Sequence, residues 1–78
     1  MATTIDMQEK TRVYEVSSEV AHIVVNYCVA TNTKMVFTSG RLFIEVIPSV
    51  KKDLIESSFG RIKEEHFLGE YNMILEIN

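Results

Sequence analysis

The stretch from Lys34 to Pro48 constrains the fold most, because it contains two runs of β-forming residues around a short turn. The runs cover residues 34–38 and 41–47, and Ser39-Gly40 separates them. Glycine at the second loop position tolerates positive φ, so a two-residue turn can close the runs into a hairpin. In the second run, Leu42, Ile44 and Val46 alternate with Phe43, Glu45 and Ile47. Both faces of this strand are mostly apolar, which predicts a position at the centre of a sheet.

The chain has the length of one small domain with a thin core. Its 78 residues are 46% hydrophobic and 24% charged, as in ordinary globular proteins. At this size, folding buries about 63% of the surface of the unfolded chain. Cys28 is the single cysteine, so stability has to come from packing or self-association rather than from an internal disulfide. The sequence has no apolar run of the roughly 20 residues that a membrane helix needs, and we expect a cytoplasmic protein.

Charge is distributed unevenly along the chain, whose net charge is −3. Residues 1–52 carry six basic and five acidic side chains, whereas residues 53–78 carry two basic and six acidic ones. An acidic half disfavours the binding of phosphate groups, which relies on clustered lysine and arginine. The hairpin offers two aromatic rings for base stacking but only Lys34 and Arg41 as cations. Nucleic acid is therefore an unfavoured partner, and the acidic residues are interpreted as a solvated helix face.

The N-terminal part of the chain predicts a long helix. Asp6 and Glu9 have the spacing of a helix start. An apolar stripe with steps of three and four follows, at Val13, Val16, Val20, Ile23, Tyr27 and Ala30. We therefore expect one helix from Asp6 to Thr31, preceded by a flexible terminus at residues 1–5.

The same region supports a second interpretation. Residues 11–16 are rich in β-forming residues, and Ser17-Ser18 can cap a shorter helix that begins at Glu19. The chain would then follow the βαββαβ order of ferredoxin-like proteins. The long helix is favoured, because a strand in this region would place Val13 and Glu15 on the same face.

The rest of the chain predicts a second helix and a final strand. Pro48-Ser49 offers a break, and residues 50–66 carry a helical stripe composed of Ile55, Phe59, Ile62 and His66. Gly60 weakens this helix, which is expected to bend or stop there. Residues 71–77 alternate apolar and polar side chains, as a strand at the surface of a core does.

These elements predict an α+β fold with a three-stranded sheet and two helices on one of its faces. The last strand would join the sheet through a right-handed crossover and lie parallel to residues 41–47. The residues expected in the core are Ile23, Tyr27, Leu42, Ile44, Leu54, Leu75 and Ile77.

Few residue patterns point to chemistry. Glu19 and His22 have the Glu-x-x-His spacing of di-iron helical bundles, but the chain contains no second copy of this motif. Cys28 would need a histidine to lower its pKa, and only His66 could approach it through tertiary folding. A helical cysteine is more often a small buried hydrophobic residue. The sequence therefore predicts no catalytic residue, no metal ligand and no cofactor site.

The function that fits this profile is binding without catalysis. We expect a small intracellular protein that binds a larger macromolecule through its surface, as an inhibitor or an adaptor. Short, acidic, motif-free proteins of this kind include inhibitors of host or defence enzymes that viruses and mobile elements carry. The alternative is a small enzyme or ligand-binding domain whose pocket forms between subunits and uses Cys28, His22 or His66.

A sheet with helices on one face leaves its other face bare, so that face is the expected interface. The residues assigned to it are Val36, Arg41, Phe43, Glu45, Ile47 and Ile74. A twofold homodimer would bury this face against its copy, with Glu45 at the rim or paired with Arg41 of the second chain. If a different protein covers the face instead, the face is the functional surface itself.

Overall fold

A computed structural model describes residues 10–76 of the chain. Two α-helices and four strands occur in this range, with one turn of 3₁₀ helix at Glu64–His66. The elements are β1 (Arg12–Val16), α1 (Ala21–Thr31), β2 (Met35–Thr38), β3 (Arg41–Val46), α2 (Pro48–Ser57) and β4 (Phe67–Tyr71). The strands form one sheet in the order β2-β3-β1-β4, and every neighbouring pair is antiparallel. The predicted α+β class is confirmed.

The long N-terminal helix is wrong over much of its length. Residues 12–16 form β1, and the helix begins only at Ala21, although it ends at Thr31 as expected. The element order is the βαββαβ order of the alternative interpretation, with four strands instead of three. The part of the proposed helix at residues 6–9 lies outside the described residues.

The predicted hairpin is confirmed. Ser39 and Gly40 both have positive φ, at 53° and 74°, as a two-residue turn of type I′ requires. The hairpin strands pair from Thr38 with Arg41 to Met35 with Ile44. β3 is a central strand as expected, but its second neighbour is β1 rather than the C-terminal strand.

The second helix and the last strand both end earlier than predicted. α2 begins at Pro48, whose fixed φ suits the first helical position. It ends at Ser57 instead of reaching His66, close to Gly60, where a bend or stop was expected. Phe59 and Gly60 adopt positive φ directly after it and prevent its continuation. The C-terminal strand is Phe67–Tyr71, not residues 71–77, and residues 72–76 run without regular secondary structure.

The main core lies between the helices and one face of the sheet, which we call the helix face. Val24 and Cys28 of α1 and Leu54 of α2 pack there against Leu42 and Ile44 of β3. A second, smaller cluster on the opposite sheet face joins Val13, Phe43 and Leu75. Among the expected core residues, Leu42, Ile44, Leu54 and Leu75 are buried as predicted.

The expected core residues of the first helix are only partly correct. Ile23 and Tyr27 are half-buried at the edge of the core, because α1 turns Val24 and Cys28 inward instead. Ile77 lies outside the described residues.

Candidate functional site

The sheet face opposite the helices, which we call the second face, is not the bare surface that the sequence suggested. Phe43 lies at its centre and is only 7% exposed. The Tyr71 ring meets it edge-on with ring centres 5.8 Å apart, and the Arg41 guanidinium lies 5.1 Å from its centre. Leu75, from the irregular C-terminal segment, completes the cover. Phe43 is therefore unavailable to a partner while this cover is in place.

An ion pair with a third polar member lies beside Phe43. The Nε and Nη2 atoms of Arg41 each donate to one carboxylate oxygen of Glu15, both at 2.9 Å. The Tyr71 hydroxyl donates to the same carboxylate at 2.9 Å. These bonds, first of all those from Arg41, lower the pKa of Glu15 to about 2, although its burial acts in the opposite direction. Arg41 is thus paired within its own chain, whereas the expected homodimer placed Glu45 either at the rim or in a pair with Arg41 of the second chain.

The other residues assigned to the interface differ in how exposed their side chains are. Glu45 accepts bonds from the Thr11 hydroxyl at 3.3 Å and the Leu75 backbone N–H at 3.4 Å. Val36 and Ile47 are half-buried, whereas Ile74 is 74% exposed. Val36 packs with Phe43 on the second face, but the six residues do not form one exposed apolar patch.

The residues considered for catalysis or metal binding lie in three different settings. Cys28 is buried in the core as predicted, and burial raises the pKa of its thiol to about 11. His22 is exposed on α1. The Nε2 atom of His66 lies 3.3 Å from the Glu19 carboxylate, while its Nδ1 accepts the Lys63 backbone N–H. Among residues 10–76, no three His, Cys, Asp or Glu side chains are grouped so that they could hold a metal ion.

A groove of about 640 Å³ runs along one side of α2. The Tyr14 ring lines it, and the Lys51 ammonium lies 5.0 Å from the centre of that ring. The walls carry charges of both signs, and two ion pairs, Lys51 with Glu64 and Arg12 with Glu70, neutralise most of them. The volume suits a small molecule, but the paired charges select no particular ligand.

The most exposed large apolar side chain among the described residues is Phe59. Its ring is 95% exposed, directly after the C-terminal end of α2. Its backbone φ is 57°, in the left-handed region that a bulky side chain rarely adopts. The residue before it is fixed in place. The Ser58 hydroxyl donates to the Ile55 carbonyl at 2.8 Å and accepts the Ile62 N–H at 2.9 Å.

The exposure of Phe59 was not predicted, because the apolar spacing places this residue on the buried stripe of a longer second helix. The dipeptide Phe59-Gly60 contains the signal that could have found it. Glycine shortly after a helical run favours a left-handed helix end, and such an end rotates the preceding aromatic residue away from the stripe. Within residues 10–76, the other strongly exposed apolar side chains are Val29, Phe37, Leu68, Met73 and Ile74.

Comparison of the chain with models of known protein families, with curated proteins and with solved structures finds no match. In residues 10–76, neither helix has the length and apolar character that crossing a membrane requires.

Proposed function

We propose that this protein is a small non-catalytic binding protein that docks onto a larger protein through the Phe59 loop, residues 58–61, and acts as an inhibitor or adaptor. The observation that carries the proposal is the Phe59 ring, which is 95% exposed on a backbone of positive φ. Folding accounts for the backbone, because the positive φ ends α2, but it gives no reason for an aromatic side chain at this position. A left-handed backbone costs a residue with a side chain about 1–2 kcal/mol, and the exposed ring gains nothing from burial.

The loop has the properties of a binding anchor. Aromatic and arginine side chains are enriched in protein interfaces, and Arg61 is exposed two residues after Phe59. Both ends of the loop are held in place, because Ser58 bonds to the helix and Ile62 is buried in the core. A group presented in a fixed position loses little conformational entropy on binding, and this favours affinity.

These two side chains define the chemistry of the partner. The ring needs an apolar pocket of the size of a phenyl group, and the Arg61 guanidinium needs a carboxylate or carbonyl acceptor at the pocket's rim. The partner is therefore a folded protein with a concave apolar site beside an acidic group.

The alternative function, a small enzyme, has less support from the described residues. Its candidate nucleophile Cys28 is buried, and burial raises the pKa of the thiol to about 11. A thiol with such a pKa holds little of the reactive thiolate at neutral pH.

The substitution Phe59→Asn tests the proposed function. Asparagine tolerates a left-handed backbone, so the free energy of unfolding should stay the same or rise by up to about 1 kcal/mol. Proteins captured from a lysate by the wild type and by the variant are compared by quantitative mass spectrometry. The dissociation constant of each purified candidate is then measured with both proteins. We expect the variant to bind at least about 10-fold more weakly, a loss of about 1.4 kcal/mol.

The control is Ile74→Asn, which removes an apolar side chain that is 74% exposed in the irregular C-terminal segment. It should leave the dissociation constant unchanged. Equal binding by wild type and Phe59→Asn would contradict the proposal. So would a large loss of stability in Phe59→Asn, because the ring would then have a structural role.

A further inference from the structure

The two edges of the sheet differ in how they are protected against pairing with another strand. At one edge, β4 contains Gly69, has an irregular register opposite Glu15 and Val16, and carries Glu70 in an ion pair with Arg12. Bulges, charges and glycine are devices that discourage strand addition. At the other edge, β2 reads Met-Val-Phe-Thr, with a regular register, no charge and no proline. Among the described residues, this edge is protected by the short length of β2 and by the exposed Lys34 beside it.

Within residues 10–76, the backbone of β2 has hydrogen-bonding groups on its outer side that form no bond. The Lys34 carbonyl accepts the Glu45 N–H at 3.1 Å. This bond determines which residues of β2 direct their backbone N–H and C=O groups towards β3. Antiparallel pairing alternates from residue to residue, so the N–H and C=O groups of Met35 and Phe37 point away from β3. No backbone or side-chain group within residues 10–76 forms a hydrogen bond with them. The Phe37 ring next to them is 60% exposed.

We propose that β2 is a dimerisation edge, at which a second copy of this chain adds its own β2 in antiparallel orientation about a twofold axis. With Val36 at the axis, opposite its own copy, Met35 of each chain lies opposite Phe37 of the other. The outward groups of these two residues then bond reciprocally, as an isologous contact requires. Lys34 lies opposite Thr38, so the register brings no like charges together.

The reciprocal register of Met35 and Phe37 argues for a second copy as the occupant, and the protection of the β4 edge argues that assembly stops at two. Pairing β2 with β2 produces an eight-stranded sheet whose two outer edges are both β4. Each outer edge carries the irregular register and the Glu70 charge, so no further chain adds. The interface differs from the one expected from sequence, since it uses the sheet edge rather than the second face. It is small, because β2 has four residues, and the expected dissociation constant is in the micromolar range.

Sedimentation velocity from about 1 µM to about 1 mM protein tests the proposal. The wild type should shift from monomer to dimer over this range. Phe37→Pro removes an outward N–H that the hairpin does not use, and proline is tolerated on an edge strand in that position. Phe37→Lys adds a charge to the edge and keeps the N–H. Each variant should keep the circular dichroism of the wild type and raise the dissociation constant at least about 10-fold.

Phe59→Asn is the matched control, because it removes the other exposed phenyl ring without touching the edge. It should dimerise as the wild type does. Amide hydrogen exchange followed against protein concentration gives a second measurement, in which the Met35 and Phe37 amides should exchange more slowly as the dimer forms. A wild type that is monomeric at every concentration would overturn the proposal. A dimer that both Phe37 variants leave intact, or a β2 edge protected only by a different protein, would also overturn it.

Discussion

At the scale of single residues, the most constrained side chain is that of Glu15. It is a carboxylate on a central strand and is only 9% exposed. A buried charge is costly unless it is paired and hydrogen-bonded. Arg41 and Tyr71 together donate three bonds to it, each of 2.9 Å. The second face is therefore organised around one carboxylate, and this has a consequence for the pH dependence of stability.

We expect the contribution of Glu15 to stability to disappear in acid. Its folded pKa of about 2 lies below the ordinary value of 4.5, so its contribution is complete above pH 4.5 and falls as pH decreases towards 2. Glu15→Gln lacks this contribution at every pH. The free energies of unfolding of wild type and variant, measured in urea, should therefore differ most at neutral pH and converge in acid. Glu56→Gln, at an exposed position on α2, is the control that should match the wild type throughout. A difference for Glu15→Gln that is independent of pH would contradict the expectation.

At the scale of elements, β1 shows why local patterns misassigned the N-terminal region. A strand at residues 11–16 was disfavoured because Val13 and Glu15 would share a face, and they do share the second face. Glu15 is tolerated on that face because Arg41 and Tyr71, which are distant in sequence, donate hydrogen bonds to its carboxylate. The helical spacing had no structural meaning at Val13 and Val16, since these two residues lie on β1 and pack in different clusters. The contacts that make β1 a strand rather than part of a helix therefore come from residues distant in sequence.

Elements specified by their own turn chemistry were predictable. The Ser39-Gly40 turn and the apolar alternation of β3 fixed the hairpin and its central strand without help from the rest of the chain. Cys28 was likewise placed correctly in the core from its residue type. The Phe59 loop was predicted only in part: Gly60 indicated a bend or stop of α2, but the exact end also depends on the Ser58 hydroxyl, which bridges Ile55 and Ile62. Such a bridge cannot be recognised from the spacing of apolar residues.

The irregular segment at residues 72–76 should behave as a structural element although it has no regular backbone. Leu75 is 6% exposed and packs with Val13 and Phe43, whereas its neighbour Ile74 is 74% exposed. We expect Leu75→Ala to lower the free energy of unfolding by about 2–5 kcal/mol. The matched substitution Ile74→Ala should change it by less than about 0.5 kcal/mol. Urea unfolding of both variants checks this, and equal effects would show that the segment does not pack on the second face.

At the scale of the whole molecule, the two faces of the sheet are buried to very different depths. Among the described residues, two helices cover the helix face with a cluster of ten buried residues, whereas the buried cluster of the second face has three members. One of those three, Leu75, lies outside the sheet. The C-terminal segment therefore substitutes for a helical layer, and the second face depends on it to stay out of solvent.

We expect a chain that ends at Tyr71 to expose the second face. Val13 and Phe43 would lose the cover of Leu75, and Glu45 would lose the N–H that Leu75 donates. The shortened chain should therefore be less stable to urea, bind a hydrophobic dye such as ANS, and associate through its second face. Because this contact is not the β2 edge, adding Phe37→Lys should not abolish the association.

A chain that ends at Glu76 is the control, since it keeps the whole described segment, and it should resemble the full chain. If the chain ending at Tyr71 is as stable as that control and binds no more ANS, the C-terminal segment does not cover the second face.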